Sequence, residues 1–161
     1  AIDQDRKPIA IRVPSNGVNH TAEPVDTEYS YTPQYKVTRQ GSLVAIIAAG
    51  SFYQKGENVA EILAAKGINA TLINPRYLNA VDAETLDSLK AEHSLVVTLE
   101  DGCKDGGFGE RIASYYGTSD MKVLVSGVKK DLYDRYNLRQ LLADNRLLDE
   151  QIVDDILAII K

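Results

Sequence analysis

The residues of this sequence that could do chemistry are a glycine run, two arginines in unusual settings, two histidines and one cysteine. Gly106-Gly107-Phe108-Gly109 leads into an expected helix, and glycines allow backbone amides to approach an anion at a helix N-terminus. The spacing matches neither the dinucleotide fingerprint nor the phosphate loop with its Lys-Ser/Thr pair. Glu100 and Asp101 stand at the end of the preceding strand, where they would repel a phosphate. A tight turn that lets a helix pack on a strand is therefore the favoured reading of the glycines.

Asn74-Pro75-Arg76-Tyr77 follows a predicted strand, at the carboxyl edge where open α/β sheets collect ligands. The Arg76 guanidinium presents five donors in a planar fork suited to phosphate or carboxylate. A surface ion pair with Asp82 is the alternative, and spacing does not separate the two. Arg12 lies in an apolar strand and needs a partner there, either a ligand or a structural group. His20 and His93 lack a carboxylate or cysteine at metal-ligand spacing, so packing or solvated roles are expected and zinc is not. Cys103 sits beside Lys104, which would lower a thiol pKa, yet no paired histidine marks a catalytic thiolate. The nine tyrosines suit an interface or ordinary core packing equally.

The elements that must position these groups follow from pattern. Over 161 residues, 44% are apolar and 25% charged, which is ordinary globular usage for about one domain. The net charge of -5 carries no block of like charge, which argues against nucleic acid or an anionic membrane as partner. No apolar stretch approaches the roughly 20 residues that span a bilayer. A single cysteine excludes an internal disulfide framework, no basic-then-apolar signal peptide is expected, and a reducing cytoplasm fits best.

Pro8 to Pro14 (PIAIRVP) reads as one short strand, the tail of a preceding domain over 1–14. Residues 15–40 are polar and rich in turn formers, a connector with a short strand at Tyr35 to Arg39. From Gly41 to Lys161, apolar runs alternate with amphipathic stretches, which predicts a three-layer α/β/α domain on a mostly parallel five-stranded sheet. Strands are predicted at Ser42 to Ala49, Ile68 to Asn74, Ser94 to Leu99 and Met121 to Ser126. Helices are predicted at Tyr53 to Lys66 with Gly67 beyond the cap, from the Asp82 N-cap through Glu92, from the glycine run to Tyr116, at Tyr133 to Ala143, and at Asp149 to Ile160. His93 falls at a helix end.

Taken in order, these motifs resemble the end of the middle domain and the C-terminal domain of 1-deoxy-D-xylulose-5-phosphate synthases, relatives of transketolases. The residues that carry the resemblance are Pro8 to Pro14 with Gly17, Gly41, Leu43 to Ala49 with Gly50-Ser51, and Gly67 to Tyr77. Asp82, His93, Val97 to Asp101 and Gly106 to Gly109 complete them. The resemblance implies that Arg12 and Arg76 hold the phosphate of the acceptor, glyceraldehyde 3-phosphate, and that no catalytic or metal-binding residue lies in this chain. It implies thiamine diphosphate and Mg2+ in the full-length parent, both held by other domains, with none bound here.

The implied partners are the remaining domains of the parent chain, a small phosphorylated substrate, and a second copy in a homodimer. The implied setting is isoprenoid and thiamine biosynthesis, with the isolated chain inactive. Three departures are visible: Ser15 replaces a second arginine, Val13 an aromatic residue, and Val128 to Asn145 lacks the family's His-Gly turn. The competing expectations are the C-terminal domain of a transketolase or of a 2-oxo acid dehydrogenase beta subunit, and a non-catalytic dimerisation module.

Overall fold

Five strands and five helices account for most of residues 34–161, which with Gly17 are the residues described by the computed structural model. The strands are β1 (Lys36–Arg39), β2 (Leu43–Ala48), β3 (Thr71–Asn74), β4 (His93–Cys103) and β5 (Lys122–Val128). The helices are α1 (Tyr53–Ala65), α2 (Ala83–Leu89), α3 (Phe108–Tyr116), α4 (Leu138–Asp144) and α5 (Asp149–Ile160). The sheet order is β1-β3-β2-β4-β5. Strands β2 to β5 pair in parallel, and β1 closes one edge antiparallel to β3. The expected three-layer architecture is the one found.

Alternation along the central strands divides the core. Val44, Ile46 and Ala48 of β2, with Leu95, Val97 and Leu99 of β4, face α1 and α5. Ala45 and Ile47 of β2, with Val96 of β4, face α2 and α3. A strand buried on both faces must be apolar at every position, which is why LVAIIA carries no polar residue. Burying side chains such as Ile46, Ile47, Leu95 and Leu99 contributes about 1.5 to 3 kcal/mol each before entropy is counted.

Several boundaries follow from local chemistry. Gly67 adopts φ +85, the left-handed conformation that ends helices. Its amide bonds the Ala64 carbonyl at 2.9 Å, and that of Ile68 bonds the Leu63 carbonyl at 3.0 Å, the paired closure of a Schellman turn. Several predicted bounds shift: α2 ends at Leu89 rather than Glu92, and β3 begins at Thr71 rather than Ile68. Strand β4 runs on to Cys103, which pairs with Val128 beyond a register irregularity. Helix α4 begins at Leu138 rather than Tyr133, because the Asn137 side chain accepts from the Gln140 amide at 3.1 Å and sets the N-terminus there. His93 opens β4 instead of ending a helix, and the expected strand at Tyr35 to Arg39 forms as β1.

Candidate functional site

Arg76 stands two residues beyond the carboxyl end of β3, on the segment that leads into α2. Pro75 is buried and anchors the segment, whereas Arg76 is exposed. The Arg76 amide donates to Asn74 Oδ1 at 3.0 Å, and the Tyr77 amide bonds the Pro75 carbonyl. Between these contacts Arg76 takes φ +55, a left-handed conformation costing a non-glycine residue roughly 1 to 2 kcal/mol.

The rest of the loop is tied to the body. Arg111 Nη1 of α3 donates to the Leu78 carbonyl at 3.0 Å, and Tyr35 Oη donates to the Ala80 carbonyl at 3.3 Å. Neither residue stands out in the sequence, since nothing local distinguishes an arginine or tyrosine that braces a loop distant along the chain. Burial pushes the Tyr35 phenol up to about 12, so it remains a donor at neutral pH.

Asp82, the alternative partner weighed for Arg76, serves the N-terminus of α2. Its carboxylate accepts from the Thr85 amide at 3.1 Å, the Thr85 hydroxyl at 2.6 Å and the Tyr35 amide at 2.8 Å. Burial raises its pKa, but hydrogen bonds from the Thr85 hydroxyl and the Tyr35, Thr85 and Glu84 amides outweigh that and hold it below the usual carboxylate value. Arg12, the other expected phosphate ligand, lies outside the described residues, as does His20.

The glycine run is a structural device, as favoured. Glu100 is only 7% exposed and turns its carboxylate onto the N-terminus of α3. The Phe108 amide donates to Oε2 at 3.0 Å and the Gly109 amide to Oε1 at 2.9 Å. A methyl group on Gly107 would sit 2.6 Å from Glu100 Oε1, and one on Gly109 would overlap Thr98 Oγ1 and Val125 Cγ1. The helix end therefore holds an anion supplied by the protein itself. Glu100 was expected to repel a phosphate; its carboxylate takes the place a phosphate would take. At the neighbouring strand ends, Ser51 Oγ donates to Asp101 Oδ2 at 3.0 Å, joining the ends of β2 and β4.

His93 is buried at the amino end of the parallel strands. Its Nδ1 bonds the Leu89 carbonyl at 3.0 Å, which requires a proton on Nδ1, so Nε2 accepts from the Thr71 hydroxyl at 2.8 Å. Thr71 Oγ1 in turn accepts from the Gly41 amide at 2.9 Å. Burial lowers the imidazole pKa, outweighing the Leu89 bond and the Glu92 charge, and the network fixes one neutral tautomer. This is the packing role expected. Cys103 is an exposed free thiol. Among the described residues no group of three His, Cys, Asp or Glu side chains could hold a metal, and no helix is long and apolar enough to cross a membrane.

With the fold and these positions established, the similarities of the chain can be placed on them. Residues 34–152 match the family model described as transketolase, C-terminal domain. The chain belongs to that family. Over 155 residues it is 33% identical to the 1-deoxy-D-xylulose-5-phosphate synthase of Gloeothece citriformis, an alignment covering 93% of this chain and 24% of the relative. The synthase of Saccharopolyspora erythraea is 34% identical over 159 residues, 98% of this chain and 23% of the relative. The chain thus spans about a quarter of the length of the curated synthases it resembles. Among solved structures, a split gene transketolase described as an inactive beta4 tetramer superposes with a TM-score of 0.74 at 26% identity, covering 88% of this chain and 46% of that one. The segment of β3 that leads to Arg76 lies inside the family match, and Arg12 precedes it.

Proposed function

We propose that this chain is the C-terminal portion of a transferase that condenses pyruvate with glyceraldehyde 3-phosphate to 1-deoxy-D-xylulose 5-phosphate with release of carbon dioxide. In that reading Arg76, together with Arg12, holds the phosphate of the acceptor. The carrying observation is an exposed arginine at the carboxyl edge of a mostly parallel sheet, in a chain similar along nearly its whole length to synthases of that name. Residues 1–14 are read as the tail of the preceding domain and 15–40 as a connector whose last residues join the sheet as β1.

The chemistry assigned to this chain is binding and orientation. Each guanidinium supplies charge-assisted bonds to the phosphoryl oxygens, worth about 1.5 to 3 kcal/mol apiece. Anchoring a remote group fixes the aldehyde carbonyl relative to the reacting centre, so the binding free energy lowers the barrier. Thiamine diphosphate, with Mg2+ on its diphosphate, would supply the electron sink in the parent protein. Among the described residues the one glycine-rich helix end is filled by the Glu100 carboxylate, which supports placing that group elsewhere in the parent. The cofactor is therefore assigned to other domains of the parent, and this chain alone is expected to be inactive.

The proposed partners are those other domains and a second copy of the parent. An exposed apolar segment running from β5 into the first residue of α4 supports such contacts: Leu132 is 98% exposed, and Tyr133, Tyr136 and Leu138 are also exposed. The same segment and the likeness to an inactive tetrameric assembly favour a second reading, an association module whose arginines serve contacts. The free Cys103 suits a reducing compartment, the cytoplasm.

The deciding experiment is steady-state kinetics of the complete enzyme with Arg76→Ala. The KM for glyceraldehyde 3-phosphate should rise by roughly tenfold or more, with the KM for pyruvate little changed. Unchanged dependence on the phosphorylated acceptor would remove Arg76 from the site and favour the association module.

A further inference from the structure

A left-handed backbone at an exposed, functional arginine calls for a local cause, because glycine would take that conformation without strain. At Arg76, where φ is +55, two bonds bracket the residue: the Tyr77 amide closes over it onto the Pro75 carbonyl, and Asn74 orients the peptide that enters it. Asn74 Oδ1 accepts from the Arg76 amide at 3.0 Å, an Asx turn in which the side chain replaces the backbone acceptor of an ordinary turn. Pro75 restricts Asn74 to extended conformations, which suits the last residue of β3. On its other side Asn74 pairs in register with Lys36 of β1, so its backbone belongs to the sheet while its side chain shapes the loop.

We propose that Asn74 is a positioning residue for the Arg76 guanidinium in acceptor-phosphate binding, a role resting on the phosphate-site reading above. The Asx turn fixes the Pro75–Arg76 peptide on which the Tyr77-to-Pro75 closure forms, and the two together hold Arg76 left-handed and set the direction in which its side chain leaves the sheet edge. Without the turn, Arg76 relaxes toward the ordinary right-handed or extended regions and its guanidinium is displaced from the phosphate. Asn74 itself touches no reacting atom.

The test is a double-mutant cycle in the complete enzyme, read as KM for glyceraldehyde 3-phosphate against KM for pyruvate and kcat. Asn74→Ala should raise the acceptor KM roughly three- to tenfold, the loss of about one hydrogen bond's worth of preorganisation, and leave the pyruvate KM alone. Asn74→Ser, whose hydroxyl can form the same turn more weakly, should recover part of the loss. In an Arg76→Ala background, Asn74→Ala should add nothing further. Equal damage to both substrates, no recovery with serine, or a full additional loss in the Arg76→Ala background would each overturn the proposal. Should Arg76→Ala raise the acceptor KM while Asn74→Ala and Asn74→Ser do not, only the positioning role falls. Should Arg76→Ala itself leave the acceptor KM unchanged, the phosphate-site reading falls first.

Discussion

Removing the Glu100 carboxylate should destabilise the fold more than any ordinary surface carboxylate would. In Glu100→Ala the Phe108 and Gly109 amides, now bonded at 3.0 and 2.9 Å, lose their acceptor at a place only 7% exposed. A buried amide left unpaired costs about 1 to 3 kcal/mol, so two of them give about 2 to 6 kcal/mol. With a urea m-value of about 1 to 3 kcal/mol/M, the denaturation midpoint of the 161-residue chain should fall by on the order of 1 to 2 M at constant slope. Glu100→Gln keeps one carbonyl acceptor but turns an NH2 toward the second amide, so its loss should be about half. Phosphate added at tens of millimolar should raise the midpoint of Glu100→Ala and leave the unaltered chain where it was, because only the variant has an open helix end. Unfolding free energies within about 0.5 kcal/mol of the unaltered chain for both variants would refute the internal-anion account of the glycine run.

Gly109→Ala should lower stability by about 1 to 3 kcal/mol or more in the same assay, since its methyl group would overlap Thr98 Oγ1 and Val125 Cγ1; a neutral effect would show that α3 can lift off β4 without cost. Because burial lowers the His93 pKa, the neutral imidazole is favoured in the fold. Its contribution is fully present above the unfolded value of about 6.5 and is lost as pH falls below that toward the folded value. Urea midpoints between pH 7.5 and 5 should decline less steeply in His93→Gln than in the unaltered chain, and parallel declines would refute this. Isothermal titration of the chain with thiamine diphosphate and Mg2+ should show no binding; micromolar affinity would overturn the assignment of the cofactor to other domains.

The legibility of the fold follows the periodicity of its elements. Helix α5 is readable residue for residue because Ile152, Val153, Ile156 and Ile160 recur on one face. Strand β2 is evident because a strand covered on both sides has no polar position. The last residues of β4, Glu100 to Cys103, are polar or glycine and resemble a loop; the strand continues because β5 runs on beside it, with Cys103 paired to Val128 past a register irregularity. Tyr133 and Tyr136 resemble the apolar face of a helix, yet they lie before its start and pair edge to face with centroids 6.3 Å apart. At the candidate site, Arg76 is legible from its place after a strand, while its left-handed backbone and the bracing by Arg111 and Tyr35 are not, because those depend on contacts between distant elements. A carboxylate directly after the apolar run of β4 and ahead of a glycine run is the signal for the Glu100 cap, and charge alone reads it as repulsion.

The measurement that bears most directly on the phosphate-site reading is a crystal structure of the complete protein with glyceraldehyde 3-phosphate or inorganic phosphate. One phosphoryl group should lie within about 3 Å of both the Arg12 and Arg76 guanidinium nitrogens. The two guanidiniums directed into separate regions, with no anion shared between them, would contradict it.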